Sequence, residues 1–416
     1  MKYFQGEGLW FRLFLYLCKQ KEGSHKVLRT VKQKLFFVLF ALWCAAAVSA
    51  QTSARDHHRG LMRMVYAVKN YIDSSAVRGI DPSYIRVPER PWHVVARSNV
   101  SQSILRMHST VDAEAFFSNV KGNFLWEPRI TTEPSFSVGV WGGYRGYGIG
   151  YQSNVAGDKE STLSLGATGG NYGLNVRFHR FQTDNPRVHY EGDFIQDDGQ
   201  IVHERETFQR ELLSPIRVHT LIADGYYLLN GRHFSYSAAY DQSAIQLRSA
   251  GSLMVGAMYY YSHVNYADDQ NADFILLMNN IGHVRQWQAG VGLGYAYNWV
   301  PARGWLVSAA FMPLVTFINR LKVTAYDSNY RQLAIDDIDH DDDELPESDY
   351  RISEMAEYRR NSNLTLNSDT RLSVTYQRER WYLNAYGCYN HFRYSADNSH
   401  GQLHDWLACL QLGIRF

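Results

Sequence analysis

Residues 285–299 read RQWQAGVGLGYAYNW. Trp287, Ala289, Val291, Leu293, Tyr295, Tyr297 and Trp299 take every second position, and Gln286, Gln288, Gly290, Gly292, Gly294 and Asn298 fill most of the positions between. A period of two belongs to a strand, so one face is greasy from end to end, aromatic at both ends, and the other is polar or bare. In a soluble sandwich the apolar face turns inward and aromatics need not gather at strand ends. In a membrane barrel the apolar face meets lipid, aromatic girdles mark both interfaces and the lumen is polar. The second pattern is the one present, and closure into a barrel satisfies every backbone group without an edge.

The same alternation recurs downstream. Leu372, Val374 and Tyr376 alternate with Arg371, Ser373, Thr375 and Gln377, and Trp406, Ala408, Leu410, Leu412, Ile414 and Phe416 with Asp405, Cys409, Gln411, Gly413 and Arg415. The glycine-dense stretch 139–152, GVWGGYRGYGIGYQ, invites a phosphate-cradle reading. A dinucleotide loop needs a helix directly after its glycines, whereas the chain continues to the alternating run Thr162, Leu163, Ser164, Leu165. Gly142, Gly146, Gly148 and Gly150 share one parity and Trp141, Tyr147, Ile149 and Tyr151 the other, which reads as one strand. Its glycine row, like that at 290–294, leaves room for a bulky neighbour or lets the wall curve.

Composition agrees with one large β architecture. Aromatics are 14 % of the 416 residues, Tyr numbers 29, and only 10 prolines punctuate the chain. Outside the N-terminal region no apolar run approaches the roughly 18 residues of a membrane helix. Lys26, Arg29, Lys32 and Lys34 precede the apolar run 35–48, followed by Ser49 and Ala50, so residues 1–50 read as an export signal with an extended basic flank, cleaved near Ala50. A translation start at Val27 or Val31 would account for the long flank. Trp43 before Cys44 argues against lipid attachment there. Removing residues 1–50 leaves 34 basic and 39 acidic side chains, about −5, which excludes nucleic-acid binding.

Residues 51–91 form a periplasmic N-terminal segment in which Leu61, Met64, Val65, Val68, Tyr71 and Ile72 have helical spacing. That short periplasmic helix is a candidate plug, membrane-surface element or docking site for a periplasmic partner. From 92 to 416 the expectation is a transmembrane antiparallel β-barrel of about 12 strands, near 93–107, 135–152, 162–181, 216–229, 232–246, 249–262, 272–281, 284–298, 303–321, 369–378, 381–393 and 404–416. Fusing 232–262 and dropping 272–281 gives an alternative of 10. With both termini in the periplasm, the long segments 108–134, 182–215 and 322–368 lie outside. Short turns fall inside at 300–303, at 378–380 and at Asn230 and Gly231, the last a hairpin signal.

Residues 225–252, GYYLLNGRHFSYSAAYDQSAIQLRSAGS, carry Tyr227, Asn230, the run Phe234, Ser235, Tyr236, then Gln246 and 249–252. Supporting features are Tyr84 with Ile85, Pro91 with Trp92, the stretch 144–150, Gly294 with Tyr295, and Tyr297 with Asn298. In these the chain resembles a family of outer-membrane β-barrels of Bacteroidota-type bacteria catalogued as domain of unknown function 4421. The resemblance covers roughly residues 70–416 and implies fold and location, with no established activity and no catalytic residues to carry over.

Asp337, Asp339, Asp341 and Asp343 place oxygen ligands at alternate positions, a candidate Ca²⁺ site. The segment has no central glycine and His340 interrupts it, so a solvated outer loop bridging lipopolysaccharide phosphates is the plainer reading. If residue 393 pairs with 404, Cys388 faces Cys409 across a hairpin, a candidate disulfide on the lumen side. Phe416 with Ile414, Leu412 and Leu410 resembles the C-terminal signal read by the outer-membrane assembly machinery. His57, His58, His179, His189, His203, His263, His283 and His404 come without a nucleophile-elbow, zinc or redox motif, so no cofactor and no catalysis are expected. The functional expectation is a passive pore or transporter for small solutes. Its alternatives are a structural or surface-interaction barrel and a lipid-modifying barrel enzyme.

Overall fold

The computed structural model describes residues 60–112, 123–127, 129–157, 159–195, 200–209, 211–278, 280–330, 350–361, 364–396 and 399–416. The chain divides into two units, Met1–Tyr71 and Ile72–Phe416. The described part of the first is the opening of helix α1 (Gly60–Val77), which realises the helical spacing of Leu61, Met64, Val65, Val68 and Tyr71. No described helix is long and apolar enough to cross a membrane.

The second unit is a closed antiparallel barrel. Twelve strands form its wall: β1 (Trp92–Asp112), β2 (Ser135–Tyr144), β3 (Tyr147–Ala156), β4 (Lys159–Thr168), β5 (Tyr172–Thr183), β6 (Ile216–Leu228), β7 (Ala250–Asn265), β8 (Ile281–Trp299), β9 (Trp305–Tyr330), β10 (Thr365–Gln377), β11 (Trp381–Ala396) and β12 (Ser399–Arg415). Each strand pairs with the next, and β12 returns to β1 with Arg415 opposite His93, so the wall has no open edge.

The wall is inside out relative to a soluble protein. On β8, Leu293 is 71 % exposed and Asn298 0 %. Val140, Ile149, Leu253, Phe311, Leu372 and Leu412 are exposed, while Gln152, Asp224, Gln288, Asn367, Asn384 and Gln411 are buried. From Trp287 to Trp299, twelve residue steps of about 3.3 Å, tilted by about 40°, span about 30 Å, the thickness of a hydrocarbon core. That match between apolar band and bilayer makes the fold a membrane barrel.

β1 begins and β12 ends at one end of the barrel, where the Trp92 N–H donates to the Phe416 carbonyl (3.2 Å). The same end carries connections 145–146, 169–171, 229–249, 300–304 and 378–380. The far end carries 113–134, 184–215 and 331–364, together with the shorter 157–158, 266–280 and 397–398. Several far-end segments continue the wall. Arg187–Ile195 pairs with Ile201–Gln209, and Tyr350–Asn361 pairs with the outer half of β9.

The strand count is as expected, but four assignments are not. Residues 135–152 and 162–181 are each split by a turn, the first at Arg145 and Gly146, which hold φ of 51° and 88°. In the other direction, 232–246 is not a wall strand: it folds into the lumen around a short helix α2 (Ser237–Tyr240), and Asn230 and Gly231 open that segment instead of closing a hairpin. Residues 272–281 begin as helix α3 (Ala272–Leu277), which buries Phe274 and Ile275 beside Tyr266 and Tyr326 at the far end.

The two-residue turn at 145–146 swaps face parity, so Trp141 lies opposite Gly150, inside the barrel, not outside with Ile149 and Tyr151. The glycines make its berth. A Cβ at Gly150 would sit 2.6 Å from Trp141 Cε3, and one at Gly166 would sit 2.9 Å from Cη2. Room for a bulky neighbour is therefore what this glycine row supplies.

Candidate lumenal site

The near end of the lumen is occupied by the chain's own segment 229–249. After β6 the segment 229–249 turns inward and is bolted to several strands. The Asn230 N–H donates to Ser252 Oγ (3.0 Å), and its side-chain amide donates to the Gly251 carbonyl (2.9 Å). Buried Gln246 accepts from the Ser235 N–H (2.9 Å) and from the Asn298 amide (3.1 Å). It donates to the carbonyls of His233 (2.6 Å) and Arg248 (2.9 Å). Asn298 and Asn384 donate to the carbonyls of Ser235 (2.8 Å) and Ala239 (3.0 Å). Arg415, 1 % exposed, donates to the carbonyls of Gln242 and Arg378 (both 2.8 Å). Ile85–Arg86 adds a two-stranded pairing with Ile245–Gln246. Buried backbone groups need such partners, and here the lumen-facing side chains provide them.

Phe234 and Tyr236 of the segment fill one side of the lumen against Tyr226, Met254, Met258, Met312 and Leu314. The other side is left as a cavity of about 170 Å³. Its floor is Tyr236, Ser237, Tyr240 and Asp241 of the inward segment, and its walls include Arg97, Trp141, Glu160, Arg177, His179, Asp224 and Arg371.

Among the described residues some charges of this cavity form ion pairs, whereas the lining carboxylates Asp241 and Asp405 accept only from hydroxyl and N–H donors, Asp405 from Ser103 (2.9 Å). Asp224 accepts from the Asn175 amide (2.9 Å) and faces Arg371 (3.3 Å) and Arg177 (3.9 Å). Arg371 also pairs with Asp369 (2.6 Å). Glu160 accepts from Ser101 (2.9 Å) and Ser135 (2.5 Å) and lies 3.1 Å from His179 Nε2. Asp241 accepts from Thr168 (2.5 Å) and from the Ser243 N–H (2.8 Å), while burial pushes its carboxyl above the ordinary aspartate value. Arg97 is different. Its guanidinium lies 4.4 Å from the Trp141 ring centroid, its Nε is buried without a hydrogen-bond partner, and among the described residues it makes no ion pair, the Asp241 carboxylate acting on it from beyond contact distance.

Of the residues singled out from sequence, His179 lines this cavity. His263 and His283 stand on the outer wall near the far end, their rings 5.6 Å apart, and His404 stacks on His391 at 4.6 Å. Phe416, Ile414, Leu412 and Leu410 are exposed on the outer face of β12. Cys388 and Cys409 are buried and free. The hairpin register puts Cys388 opposite Leu407 and Cys409 opposite Tyr386, two residues away from the pairing a disulfide needed. The aspartates Asp337, Asp339, Asp341 and Asp343, and His57 and His58, lie outside the described residues. Among the described residues no metal-ligand cluster occurs.

Sequence reading did not single out Arg97, Arg177 or Asp224, and it placed Trp141 on the wrong face. The available signal was a charged residue at mid-strand on the polar parity, which inside a membrane barrel marks function or a paired structural network.

No curated protein matches the chain. Among solved structures it is similar to the outer membrane protease OmpT from Escherichia coli, at 6% identity over 79% of this chain and 97% of that one, TM-score 0.39. It is similar to the translocator domain of autotransporter NalP from Neisseria meningitidis at 11% identity over 86% and 96%, TM-score 0.27. The Pseudomonas putida toluene transporter TodX follows at 7% identity over 82% and 94%, TM-score 0.25. These values carry no argument about activity. The family described as Domain of unknown function (DUF4421) matches residues 101–414. That span takes in all but the first strides of the barrel wall, and the chain belongs to this family.

Proposed function

We infer that this chain is an outer-membrane β-barrel that receives a small anionic solute in its lumen, with the segment 229–249 as the gate beneath the site. The carrying observation is Arg97, a cation facing the cavity with an aromatic platform and no contact ion pair, its nearest counter-charge being Asp241 on the floor. An unmatched charge inside a barrel is costly to keep, and a carboxylate or phosphate group on a ligand would complete the site that Arg97, Trp141 and the cavity floor begin. Because that floor is bolted to the wall, solute passage requires the segment to yield, which distinguishes this reading from a passive open pore.

An outward apolar band matching a bilayer supports the location, and we assign the exposed row Leu410, Leu412, Ile414 and Phe416 as the assembly signal, after export with cleavage near Ala50. We assign no catalysis. The hydroxyls of Ser101 and Ser135 donate to Glu160 and not to His179, so the one acid–histidine pair in the cavity activates no nucleophile.

The test is uptake into liposomes carrying the purified barrel unlatched by Gln246→Leu, comparing inorganic phosphate with an uncharged solute of similar size. That protein is expected to favour phosphate, and the same protein with Arg97→Gln to lose that preference while keeping its heat-modifiable mobility. Equal selectivity in the two proteins would overturn the assignment of Arg97.

A further inference from the structure

The outer wall carries a feature that neither the lumen nor the strand fold requires. Where strands lie side by side, directly opposed residues share a face with Cβ atoms about 5 Å apart, and like charges there are destabilising. Yet one cross-strand row toward the far end runs Arg180, His219, His263, Arg285, Lys322 and Arg359. Each is the register partner of the next, across five strand pairings. Parity puts the row outside: on β5, β6 and β7 it shares a face with exposed Leu174, Tyr227 and Leu253, and on β8 with exposed Leu293. Glu357 pairs with Lys322 and with Arg359 (3.0 Å) at one end of the row. Among the described residues neither Arg180 nor Arg285 has a carboxylate partner.

The row one step nearer the barrel's middle is different in kind. There the partners are Phe178, Leu221, Tyr261 and Trp287, with the Tyr261 and Trp287 rings 5.5 Å apart. A second arc elsewhere on the wall repeats the basic pattern, with Arg393 opposite Gln402, Gln402 opposite Arg106, Arg106 opposite Arg129 and Arg129 opposite His189. Aromatic rings sit where acyl chains give way to head groups. The arginines and lysine of this row, one residue pair beyond the rings, therefore stand at head-group height, where lipid head groups offer the negative charge that Arg180 and Arg285 lack within the protein.

We propose that this belt binds phosphate groups of lipid head groups in the leaflet at the far end of the barrel, Arg180 and Arg285 being the principal ligands and Tyr261 and Trp287 flanking the acyl chains below. The proposal rests on the membrane-barrel reading above and adds a partner to it. Charge complementarity commits it to lipid and not to a protein: the cations form a band along the wall directly above apolar rows, and a protein partner would need no such alignment.

The experiment uses the purified full-length barrel in neutral detergent, titrated with short-chain phosphatidic acid or with phosphatidylcholine of the same chains, bound lipid being counted by native mass spectrometry. Wild type is expected to prefer phosphatidic acid. Each basic residue near an anionic lipid surface is worth about fivefold in affinity, so Arg180→Gln with Arg285→Gln should cut the preference about 25-fold. Arg303→Gln with Arg380→Gln, at exposed positions of near-end turns, should leave it unchanged. If the first pair does not fold, Arg285→Gln alone should lose about fivefold. A folded double variant that keeps the full preference, or a near-end control that loses as much, overturns the belt alone. A wild-type protein that remains monomeric and soluble without detergent overturns the membrane reading beneath it.

Discussion

Gln246→Leu should unlatch the lumen. The side chain is buried and holds four partners at ordinary distance: the Ser235 N–H, the Asn298 amide, and the carbonyls of His233 and Arg248. Leucine is of similar volume and makes none of these bonds. The Asn298 amide keeps its second partner, the Ser235 carbonyl (2.8 Å), so the principal casualty is the Ser235 N–H, together with two carbonyls that lose their donor. One buried backbone donor without a partner costs about 1–3 kcal/mol, and each weakened carbonyl adds about 0.5–1 kcal/mol. A total of about 2–5 kcal/mol against the docked state raises the undocked population about 30- to 5,000-fold. The wall should be unaffected, because its ladders close without Gln246.

The assay is single-channel recording in planar bilayers, with heat-modifiable electrophoretic mobility as the check that the barrel remains closed on itself. Wild type should be silent or open rarely, and Gln246→Leu should open often. Steady large conductance from wild type would show that segment 229–249 does not seal the lumen. Equal, low activity from both proteins would show that the latch is not what holds it.

Two further outcomes come from the same lumen. Gly150→Ala places a methyl 2.6 Å from the Trp141 ring and should cost about 1–3 kcal/mol in urea-driven unfolding from vesicles. In a Trp141→Ala background the same change should cost almost nothing, and additive effects would refute the berth. Asp241 titrates in the latch itself. Its carboxyl is raised above 3.8 by burial, so the docked state binds more protons than the undocked one. Docking should be firmest below the ordinary aspartate value and weaken as pH rises through the raised one. Open probability of Gln246→Leu should therefore rise with pH over that window, and Asp241→Asn should flatten the response; an opposite slope would refute the assignment.

The outward faces were legible because lipid imposes a simple rule on them. Trp287, Leu293 and Trp299 need only be apolar at alternate positions, so parity recovers them. Parity failed at 135–152 for a geometric reason. A two-residue turn pairs Tyr144 with Tyr147, an odd register sum, so the inward set changes from odd numbers to even ones. Glycine on both sides of Arg145 and Gly146 hides the break. The twelve strands were reached by compensation, two missed hairpins offsetting two segments that are not wall strands. Residues 272–281 did carry their own correction, since Phe274, Ile275 and Met278 recur at one- and three-residue steps, a helical stripe buried at the far end. Arg97 lay beyond reach, because its role depends on which carboxylates fail to meet it.

The place where sequence is most particular is also the place where the wall is not. A barrel strand satisfies its backbone through its neighbours, so its side chains have to match only in polarity. The segment 229–249 has only the two-residue pairing with Ile85–Arg86 and a few turn bonds of its own. Several of its remaining N–H and C=O groups are bonded by side chains instead, which ties those positions to particular residues. Asn230, Ser235, Gln246 and Ser252 meet that need directly, and Asn298 meets it from the wall. These are among the positions through which the chain resembles its family. In this chain those positions read physically as a set of donors and acceptors that keeps a length of backbone inside the barrel.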